Sequence, residues 1–359
     1  MNNIRTKTKV IKIGNLQIGG QNNVVIQSMT NTKTSDINKT LEQIKRLKNA
    51  GCELVRLAIF DDEDINALPA ILEKSLLPIV TDIHFNFEYA IKSIEMGVKK
   101  IRLNPGNLDD PKKLKIICEL ANKHNVVIRV GVNSGSLPRW ALDKYGYSAI
   151  AMIETAKHYV NLLNGYDFNN IVISIKASDP LLMIDAYELA SQNFDYPLHL
   201  GVTEAGTLLD GTIKSVAGLT PLLVKGIGDT IRISLTEDPV KEIEVARKLL
   251  NTLKIRNDLV DIISCPTCGR LNFEMMPLVE KVKEYTKQMF FPLKISILGC
   301  FVNGIGEGKE ADIGVAGSLK QAVIFKNGKI LKTVKEDEVF NELKILIDEA
   351  YQNWLDKNG

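Results

Sequence analysis

The segment Pro78–Leu103 reads PIVTDIHFNFEYAIKSIEMGVKKIRL. It begins with a short β-branched run (Pro78–Ile83), continues with a helical pattern (Phe87–Gly97) and returns to a second β-branched run (Lys100–Leu103). This order is typical of a βαβ unit, in which a helix connects two parallel strands. The segment therefore predicts a parallel sheet covered by helices.

The same alternation continues through the first 250 residues and predicts eight strands, each followed by a helix. The predicted strands are Val24–Met29, Leu54–Ala58, Pro78–Ile83, Lys100–Leu103, Val126–Val132, Ile171–Ile175, Pro197–Val202 and Thr230–Leu235. The predicted helices are Ile37–Ala50, Asp64–Lys74, Phe87–Gly97, Pro111–His124, Ser148–Leu163, Pro180–Asn193, Thr207–Lys225 and Pro239–Leu250. Eight βα units in about 250 residues match the size of a (β/α)8 TIM barrel. A doubly wound sheet is the alternative, but it rarely needs eight equal units.

The βα pattern ends near Leu250–Leu259, and a second, smaller unit follows. Its predicted strands and helices are Leu259–Ile263, Phe273–Lys287, Leu293–Leu298, Ala322–Lys326, Lys329–Val334 and Glu336–Trp354. Asn327-Gly328 joins two of these strands and predicts a type I′ hairpin turn. We therefore expect an α/β chain with a barrel unit, 1–255, and a small α+β unit, 256–359.

The composition narrows the class of protein. The chain has 359 residues, 45% hydrophobic and 25% charged, with a net charge of +2, which gives no global attraction to nucleic acid or to an anionic membrane. No apolar run reaches the ~18 residues of a membrane span, and the N-terminal sequence lacks a secretory apolar region. Five cysteines, an odd number, favour a reducing cytoplasm over a disulfide framework. We expect Cys52 and Cys118 to be buried core thiols.

Basic residues stand in or just after five of the eight predicted strands, where a buried parallel strand is normally apolar. These residues are Arg56, Arg102, Arg129, Lys176 and Arg232. Because chemistry in TIM barrels takes place at the carboxyl ends of the strands, the set predicts an anion-binding mouth. Guanidinium groups match phosphate oxygens, so the favoured ligand is a diphosphate. The neutral donors available at these ends are Asn104, Asn133, Thr203 and Ser234.

Three titratable side chains at the strand ends are available for proton transfer: Asp82, His84 and Glu204. We favour His84 and Glu204 for this role, and His84 also for substrate binding. His199, inside the seventh strand, could face the barrel interior and ranks below His84. His124 and His158 are predicted to be surface or structural residues.

Three cysteines in the second unit predict a metal or redox centre. Cys265-Pro-Thr-Cys268 places two thiols on one turn, and Cys300 follows before a glycine-rich stretch that contains Glu307. Iron–sulfur clusters, zinc sites and redox dithiols all use such a pair, and the spacing leaves these alternatives open. For a four-ligand centre, Glu307 is the nearest candidate for the fourth ligand.

The motifs together resemble one family. They are Asp82-Ile-His84-Phe85, Arg102-Leu-Asn104-Pro-Gly-Asn107, Gly131-Val-Asn133-Ser-Gly-Ser136, Val202-Thr-Glu204-Ala-Gly206, Gly228-Asp-Thr-Ile-Arg232-Ile-Ser234, Ser264-Cys265-Pro-Thr-Cys268-Gly-Arg270 and Gly299-Cys300-Phe-Val-Asn303-Gly304. From about residue 4 to 355 the chain is similar to the short bacterial form of the 4-hydroxy-3-methylbut-2-enyl diphosphate synthase (IspG/GcpE) family. It departs from the family at Ile305, where the family usually has a proline.

The resemblance implies a 4Fe-4S cluster bound by Cys265, Cys268, Cys300 and Glu307. It also implies a reaction of non-mevalonate isoprenoid synthesis: two-electron reductive opening of 2-C-methyl-D-erythritol 2,4-cyclodiphosphate, with loss of water, to the linear allylic diphosphate. The implied electron donor is flavodoxin or ferredoxin. The implied assembly is a homodimer in which the cluster unit of one chain closes over the partner's barrel.

Other classes of protein remain to be separated from this one. A zinc-supported TIM-barrel aldolase or synthase acting on a phosphorylated substrate would use a lysine as a Schiff base, with Lys176 as the candidate. A non-catalytic iron–sulfur carrier would have no use for the basic strand ends. Dihydropteroate-synthase-like barrels share phosphate-binding strand ends but lack the cysteine unit.

Overall fold

The computed structural model describes residues 7–83, 86–103, 110–271, 273–300 and 310–358. Three predicted site residues, His84, Asn104 and Glu307, lie outside these ranges. The chain divides into two compact units between Arg256 and Asn257, one residue from the boundary expected from the sequence.

The first unit contains an N-terminal hairpin and eight parallel strands. The hairpin strands are β1 (Ile11–Ile13) and β2 (Leu16–Ile18). The parallel strands are β3 (Val25–Met29), β4 (Leu54–Ile59), β5 (Ile79–Ile83), β6 (Lys100–Leu103), β7 (Val127–Asn133), β8 (Ile171–Lys176), β9 (His199–Leu200) and β10 (Thr230–Ile231). Their order in the sheet is β8-β7-β6-β5-β4-β3-β10-β9, and a parallel bridge between Ile173 and Leu198 joins the two ends. The predicted (β/α)8 barrel is confirmed.

Helices follow the strands and pack on the outside of the barrel. They are α1 (Ile37–Asn49), α2 (Asp62–Lys74), α3 (Phe87–Glu95), α4 (Pro111–His124), α5 (Arg139–Tyr145), α6 (Ala149–Asn164), α7 (Pro180–Asn193), α8 (Leu208–Val224) and α9 (Pro239–Thr252). Three of them begin with an aspartate cap followed by proline: Asp110, Asp179 and Asp238 each accept a hydrogen bond from a backbone N–H in the first turn. Helix α5 was not among the helices predicted from the sequence.

The barrel interior begins with an apolar layer that the hairpin covers. Every second residue of a barrel strand points outward and packs against the helices. The residues between them point inward, and the first inward residues of five strands contact the hairpin. This cluster contains Ile11, Ile13, Ile18, Val25, Leu54, Val80, Val127 and Val172. The hairpin therefore closes the amino end of the barrel. The hairpin was not predicted from the sequence, because each of its strands is only three residues long.

Two predicted strands were too long. Only His199–Leu200 and Thr230–Ile231 form strands within Pro197–Val202 and Thr230–Leu235. Beyond them the chain makes isolated hydrogen bonds, such as Arg232 N–H to Leu200 O over 3.0 Å. The positive φ angles of Glu204 and Gly206 then turn the chain away from the sheet.

In its described residues, the second unit has a five-stranded sheet and two α-helices. Its elements are β11 (Val260–Ser264), α10 (Met275–Thr286), β12 (Leu293–Leu298), β13 (Ile313–Ser318), β14 (Gln321–Lys326), β15 (Lys329–Lys335) and α11 (Val339–Asn358). The strands lie in sequence order, with the first three parallel and the last three antiparallel. Asn327 and Gly328 both have positive φ, as the predicted type I′ turn requires.

Strand β13 was missed because two glycines weaken its strand propensity. In the structure both glycines allow close packing. A Cβ at Gly317 would lie 2.4 Å from the Phe273 side chain, and one at Gly314 would lie 2.9 Å from Ser296 Oγ. The sheet therefore requires small residues at positions where the sequence pattern alone indicates a loop.

Candidate active site

A row of three charged side chains crosses the barrel interior. Asp82, Arg102 and Arg129 are register neighbours on the adjacent strands β5, β6 and β7, and all three are buried. Arg102 donates a hydrogen bond from Nη1 to Asp82 Oδ1 over 3.0 Å. Arg129 has no carboxylate beside it in this row, and its Nε and Nη1 atoms have no hydrogen-bond partner among the described residues.

Arg56 and Arg232 extend this basic surface around the barrel. Arg56 lies on β4 with its Nε 3.6 Å from Asp82 Oδ2. Arg232 follows β10 and donates from Nη2 to Glu242 Oε1 over 3.3 Å. Glu242 lies on α9, and its other carboxylate oxygen accepts a hydrogen bond from Ser28 Oγ over 2.8 Å. This second hydrogen bond fixes the carboxylate that contacts Arg232.

Lys176 and Asn133 lie near the carboxyl end of the barrel. They are register partners at the ends of β8 and β7. Glycines on or directly after the neighbouring strands leave room for the basic side chains. A Cβ at Gly201, directly after β9, would lie 2.8 Å from Lys176 Nζ, and one at Gly131 on β7 would lie 3.0 Å from Arg102 Nε. The side chains of Lys176 and Arg102 thus occupy space that any larger residue at Gly201 or Gly131 would fill.

The barrel interior carries more positive than negative charge. Burial, opposed by Asp82, lowers the pKa of Arg56 to about 10. Burial, and next the neighbouring arginines, also lowers the pKa of Arg129 and of Lys176 well below their ordinary values. A guanidinium stays protonated in proteins. The lowered pKa values therefore indicate that burial and mutual repulsion destabilise the charged forms of these side chains in the barrel interior. A bound anion would relieve that penalty.

The other predicted site residues that the structure describes lie at the same end. Thr203 and Ser234 are half-buried, in the segments that follow β9 and β10. Glu204 is exposed and has a φ of 52°, a left-handed conformation that costs a non-glycine residue roughly 1–2 kcal/mol. Strain of this kind is found at functional sites, where the surrounding structure maintains it.

Of the predicted site residues, Arg56, Arg102 and Arg129 are the ones the structure brings together most closely, around Asp82. Sequence reasoning missed Glu242, which anchors Arg232, and Lys100, which is fully buried two residues before Arg102. The spacing of Lys100 and Arg102 was a usable signal, because residues two apart on a strand face the same side.

Three histidines and the two isolated cysteines lie within the described residues. His199 is buried, and its Nδ1 lies 2.7 Å from Thr230 Oγ1. His124 and His158 are exposed. Cys52 and Cys118 are buried, and burial raises the pKa of each thiol to about 12.

The second unit brings one cysteine against the segment that carries another. Cys265 directly follows β11, and Cys300 lies two residues after the adjacent parallel strand β12. Cys265 Sγ accepts a hydrogen bond from the Gly299 N–H over 3.3 Å. All five cysteines are free thiols. Within the described ranges no three His, Cys, Asp or Glu side chains form a group that could hold a metal ion. The soft thiol donors at two neighbouring strand ends, with an N–H directed at one sulfur, fit an iron–sulfur centre in donor chemistry.

Comparison with protein families identifies both units. The GcpE TIM-barrel domain matches residues 8–247, and the GcpE protein C-terminal domain matches residues 261–349. The chain belongs to the GcpE family. Its relatives within GcpE include a protein of Malacoplasma penetrans, 57% identical over 98% of each chain, and one of Mycoplasmoides gallisepticum, 55% identical over 99% of each chain. A Bacillus cytotoxicus relative is 48% identical over 96% of this chain and 94% of its own. All three are named 4-hydroxy-3-methylbut-2-en-1-yl diphosphate synthase (flavodoxin).

Solved structures resemble the barrel of this GcpE protein in fold alone. Dihydropteroate synthase from Stenotrophomonas maltophilia has a TM-score of 0.52 at 12% identity and covers 68% of this chain and 98% of its own. Type I 3-dehydroquinate dehydratase from Clostridium difficile has a TM-score of 0.50 at 15% identity, over 69% and 99% of the two chains. Within the described ranges, no helix is both long and apolar enough to cross a membrane.

Proposed function

We propose that this GcpE protein is an oxidoreductase that opens 2-C-methyl-D-erythritol 2,4-cyclodiphosphate reductively, with loss of water, to 4-hydroxy-3-methylbut-2-enyl diphosphate. The observation that carries the proposal is the row of buried basic side chains in the barrel, which exceed the carboxylates that contact them. The names of the relatives, which match over nearly their full length, support the reaction. They give no support to the alternative, a zinc-supported aldolase with Lys176 as its Schiff base.

The barrel residues bind and orient the diphosphate in this proposal. Arg129 is the central contact, because it is buried and two of its nitrogens have no partner in the described part of the chain. Arg102 and Arg56 are held by Asp82, so their guanidinium groups are fixed before the substrate arrives. The remaining contacts come from His84, Asn104, Asn133, Lys176, Thr203, Arg232 and Ser234.

Glu204 and His84 are proposed to deliver the proton to the departing hydroxyl. The left-handed backbone and exposed position of Glu204 support a functional role at the barrel end. His84 lies outside the described residues, and its role rests on its place in the Asp82-Ile-His84 motif.

Cys265, Cys268, Cys300 and Glu307 are proposed to hold a 4Fe-4S cluster. When bound, such a cluster supplies single-electron transfer and an iron that acts as a Lewis acid. The N–H of Gly299 directed at Cys265 Sγ supports this assignment, because hydrogen bonds to the ligand sulfurs tune a cluster's potential. Glu307 lies outside the described residues.

Flavodoxin is the proposed electron donor, supported by the names of the relatives, with ferredoxin as the alternative. Cytoplasm is the proposed location, supported by the five free thiols. No nucleic-acid or membrane partner is proposed, given the net charge of +2.

A homodimer, with the cluster unit of one chain closing over the partner's barrel, is the proposed assembly. Helix α8 supports self-association, because it exposes Leu209 and Ile213 to 70% and 58% and carries only two charged residues, Asp210 and Lys214. Mixing a Cys300→Ser chain with an Arg232→Ala chain tests the cross-chain site. Recovered activity in mixed dimers supports it, and none in verified mixed dimers contradicts it.

The function itself is tested by turnover. Protein purified without oxygen is mixed with the cyclodiphosphate and reduced flavodoxin, and the linear allylic diphosphate is quantified. We expect product with the wild type and none with Cys300→Ser. Intact, iron-loaded wild type that binds the cyclodiphosphate but never forms the linear product would contradict the proposal.

A further inference from the structure

Lys100 places a basic group below the arginine row of the barrel. Lys100 and Arg102 are two residues apart on β6, so both side chains face the interior, about 6.6 Å apart along the strand. The register partners of Lys100 are Val80 and Val127, which belong to the apolar layer closed by the hairpin. A lysine therefore stands beside aliphatic side chains of this layer, which at β10 and β9 is continued by the polar residues Thr230 and His199.

Lys100 is one of several buried polar residues on the barrel strands with side-chain atoms that have no hydrogen-bond partner in the described part of the chain. Lys100 is fully buried, and its Nζ has no hydrogen-bond partner among the described residues. The same holds for both side-chain amide atoms of Gln27 and for Nε2 of His199, which are buried as well. Buried polar groups are normally paired, so several unpaired ones on the strands of one barrel indicate a site built for something that is not part of the chain.

The charged groups that face Lys100 from the surrounding strands are mostly positive. Asp82 is already engaged by Arg56 and Arg102, and the buried Asp229, directly before β10, accepts hydrogen bonds from the Leu198 N–H and Thr8 Oγ1. From the hairpin side, Lys12 and Gln17 are exposed and only aliphatic side chains face inward. Arg102 lies on the same strand, and the basic and titratable groups on or just after the other strands are Arg56, Arg129, Lys176, His199 and Arg232.

These surroundings disfavour an ammonium when no ligand is present. Burial, and after it Arg129 and Arg56, lowers the pKa of Lys100 well below its ordinary value of 10.5. A diphosphate would add several negative charges just above Lys100 and reverse the sign of the local field.

We propose that Lys100 lies at the bottom of the anion site, on the amino side of the arginine row, and takes up a proton from solvent when a diphosphate binds above it. The inference rests on the proposed function and deepens it. Lys100 is a positioning residue: as a neutral amine it avoids repulsion in the free enzyme, and as an ammonium it strengthens the field that holds the diphosphate. The proton comes from solvent, and no bond of the substrate forms or breaks in this step.

Isothermal titration of the cluster-loaded enzyme with inorganic pyrophosphate tests the proposal. Titrations at one pH near 8, in buffers with different ionisation enthalpies, give the number of protons taken up per pyrophosphate. The variant is Lys100→Met, and the matched control is Lys99→Met, the adjacent exposed lysine. We expect the control to take up close to one proton more than Lys100→Met, because changes in the protonation of pyrophosphate itself affect both equally. We also expect Lys100→Met to bind pyrophosphate about tenfold more weakly, or about 1.4 kcal/mol. Equal proton numbers in the two variants would overturn the proposal.

A second measurement covers the case in which Lys100→Met does not fold. In wild-type enzyme labelled with ¹³C at lysine Cε, we expect a resonance at the neutral-amine position to move to the ammonium position when pyrophosphate is added. A spectrum in which no lysine changes protonation would overturn the proposal and leave the reductive synthase standing. If wild type fails to bind pyrophosphate in either experiment, the anion site and the role of Lys100 are both wrong.

Discussion

Arg102 and Arg129 stand side by side on adjacent parallel strands, both buried inside the barrel. Asp82 lies on the far side of Arg102 and neutralises one of these two charges. Two neighbouring guanidinium groups with one carboxylate are costly in a folded core unless an anion binds there. This arrangement therefore lowers the free energy of unfolding and strengthens anion binding, and both effects can be measured.

Replacing Arg129 with methionine is expected to stabilise the fold and impair function. The variant removes buried nitrogens that lack partners, so the free energy of unfolding should rise by roughly 1–3 kcal/mol. The loss of a buried charged contact to the diphosphate should lower kcat/KM about a hundredfold or more. Chemical denaturation and steady-state kinetics measure the two effects.

The control for that prediction is Arg139→Met, because the side chain of Arg139 is 93% exposed and 3.7 Å from Asp143 in a surface ion pair. Its stability and its kcat/KM should stay close to wild type. An Arg129→Met enzyme with normal kcat/KM would contradict the assignment of the anion site.

Adding a methyl group at Gly131 should displace Arg102. A Cβ there would lie 3.0 Å from Arg102 Nε, so the guanidinium must shift from the position in which it donates to Asp82. We expect Gly131→Ala to weaken pyrophosphate binding about tenfold, as measured by calorimetry. At Gly135 a Cβ meets nothing within 4 Å, so Gly135→Ala is the matched control and should bind normally. Equal affinities would show that Arg102 does not contribute.

Two substitutions of Glu204 separate its chemistry from its backbone strain. Glu204→Gln removes the acid and should lower kcat at saturating reductant, with pyrophosphate affinity nearly unchanged. Glu204→Gly should do the same and also raise the free energy of unfolding by about 1 kcal/mol, because glycine accepts a φ of 52° without strain. Near wild-type turnover of Glu204→Gln would exclude the acid role.

Lys100 should make the stability of the free protein depend on pH. Its pKa is lower in the folded than in the unfolded chain, so between those two values the unfolded chain binds more protons and stability rises with pH. Lys100→Met lacks this dependence. Its stability relative to Lys99→Met should therefore be greatest near neutral pH and decrease as the pH approaches 10.5. A difference that does not change with pH would contradict a buried, deprotonating Lys100.

Much of the fold could be predicted from the sequence because the outward faces of the barrel strands are apolar and periodic. Pro111, Pro180 and Pro239 each occupy the first position of a helix. Proline is favoured there because its φ is fixed near the helical value and its missing N–H is not needed, and neither reason depends on tertiary contacts. Strand β13 could not be predicted, because its glycines are explained only by contacts with Phe273 and Ser296.

The basic residues of the site were visible because they interrupt apolar strands. Lys100 interrupts its strand in the same way, but its full burial beneath Arg102 appears only in the structure. The role of Glu242 depends on a contact between α9 and the segment after β10, and no sequence pattern indicates such a pairing.

The most direct test of the account is the iron and sulfide content of protein purified without oxygen, together with its visible absorption spectrum. We predict a brown protein with about four irons and four sulfides per chain and a broad charge-transfer band. Cys265→Ser should lose the iron and sulfide. The matched control Cys118→Ser should keep both. A colourless wild-type protein with one zinc per chain would contradict the cluster and the reductive chemistry together.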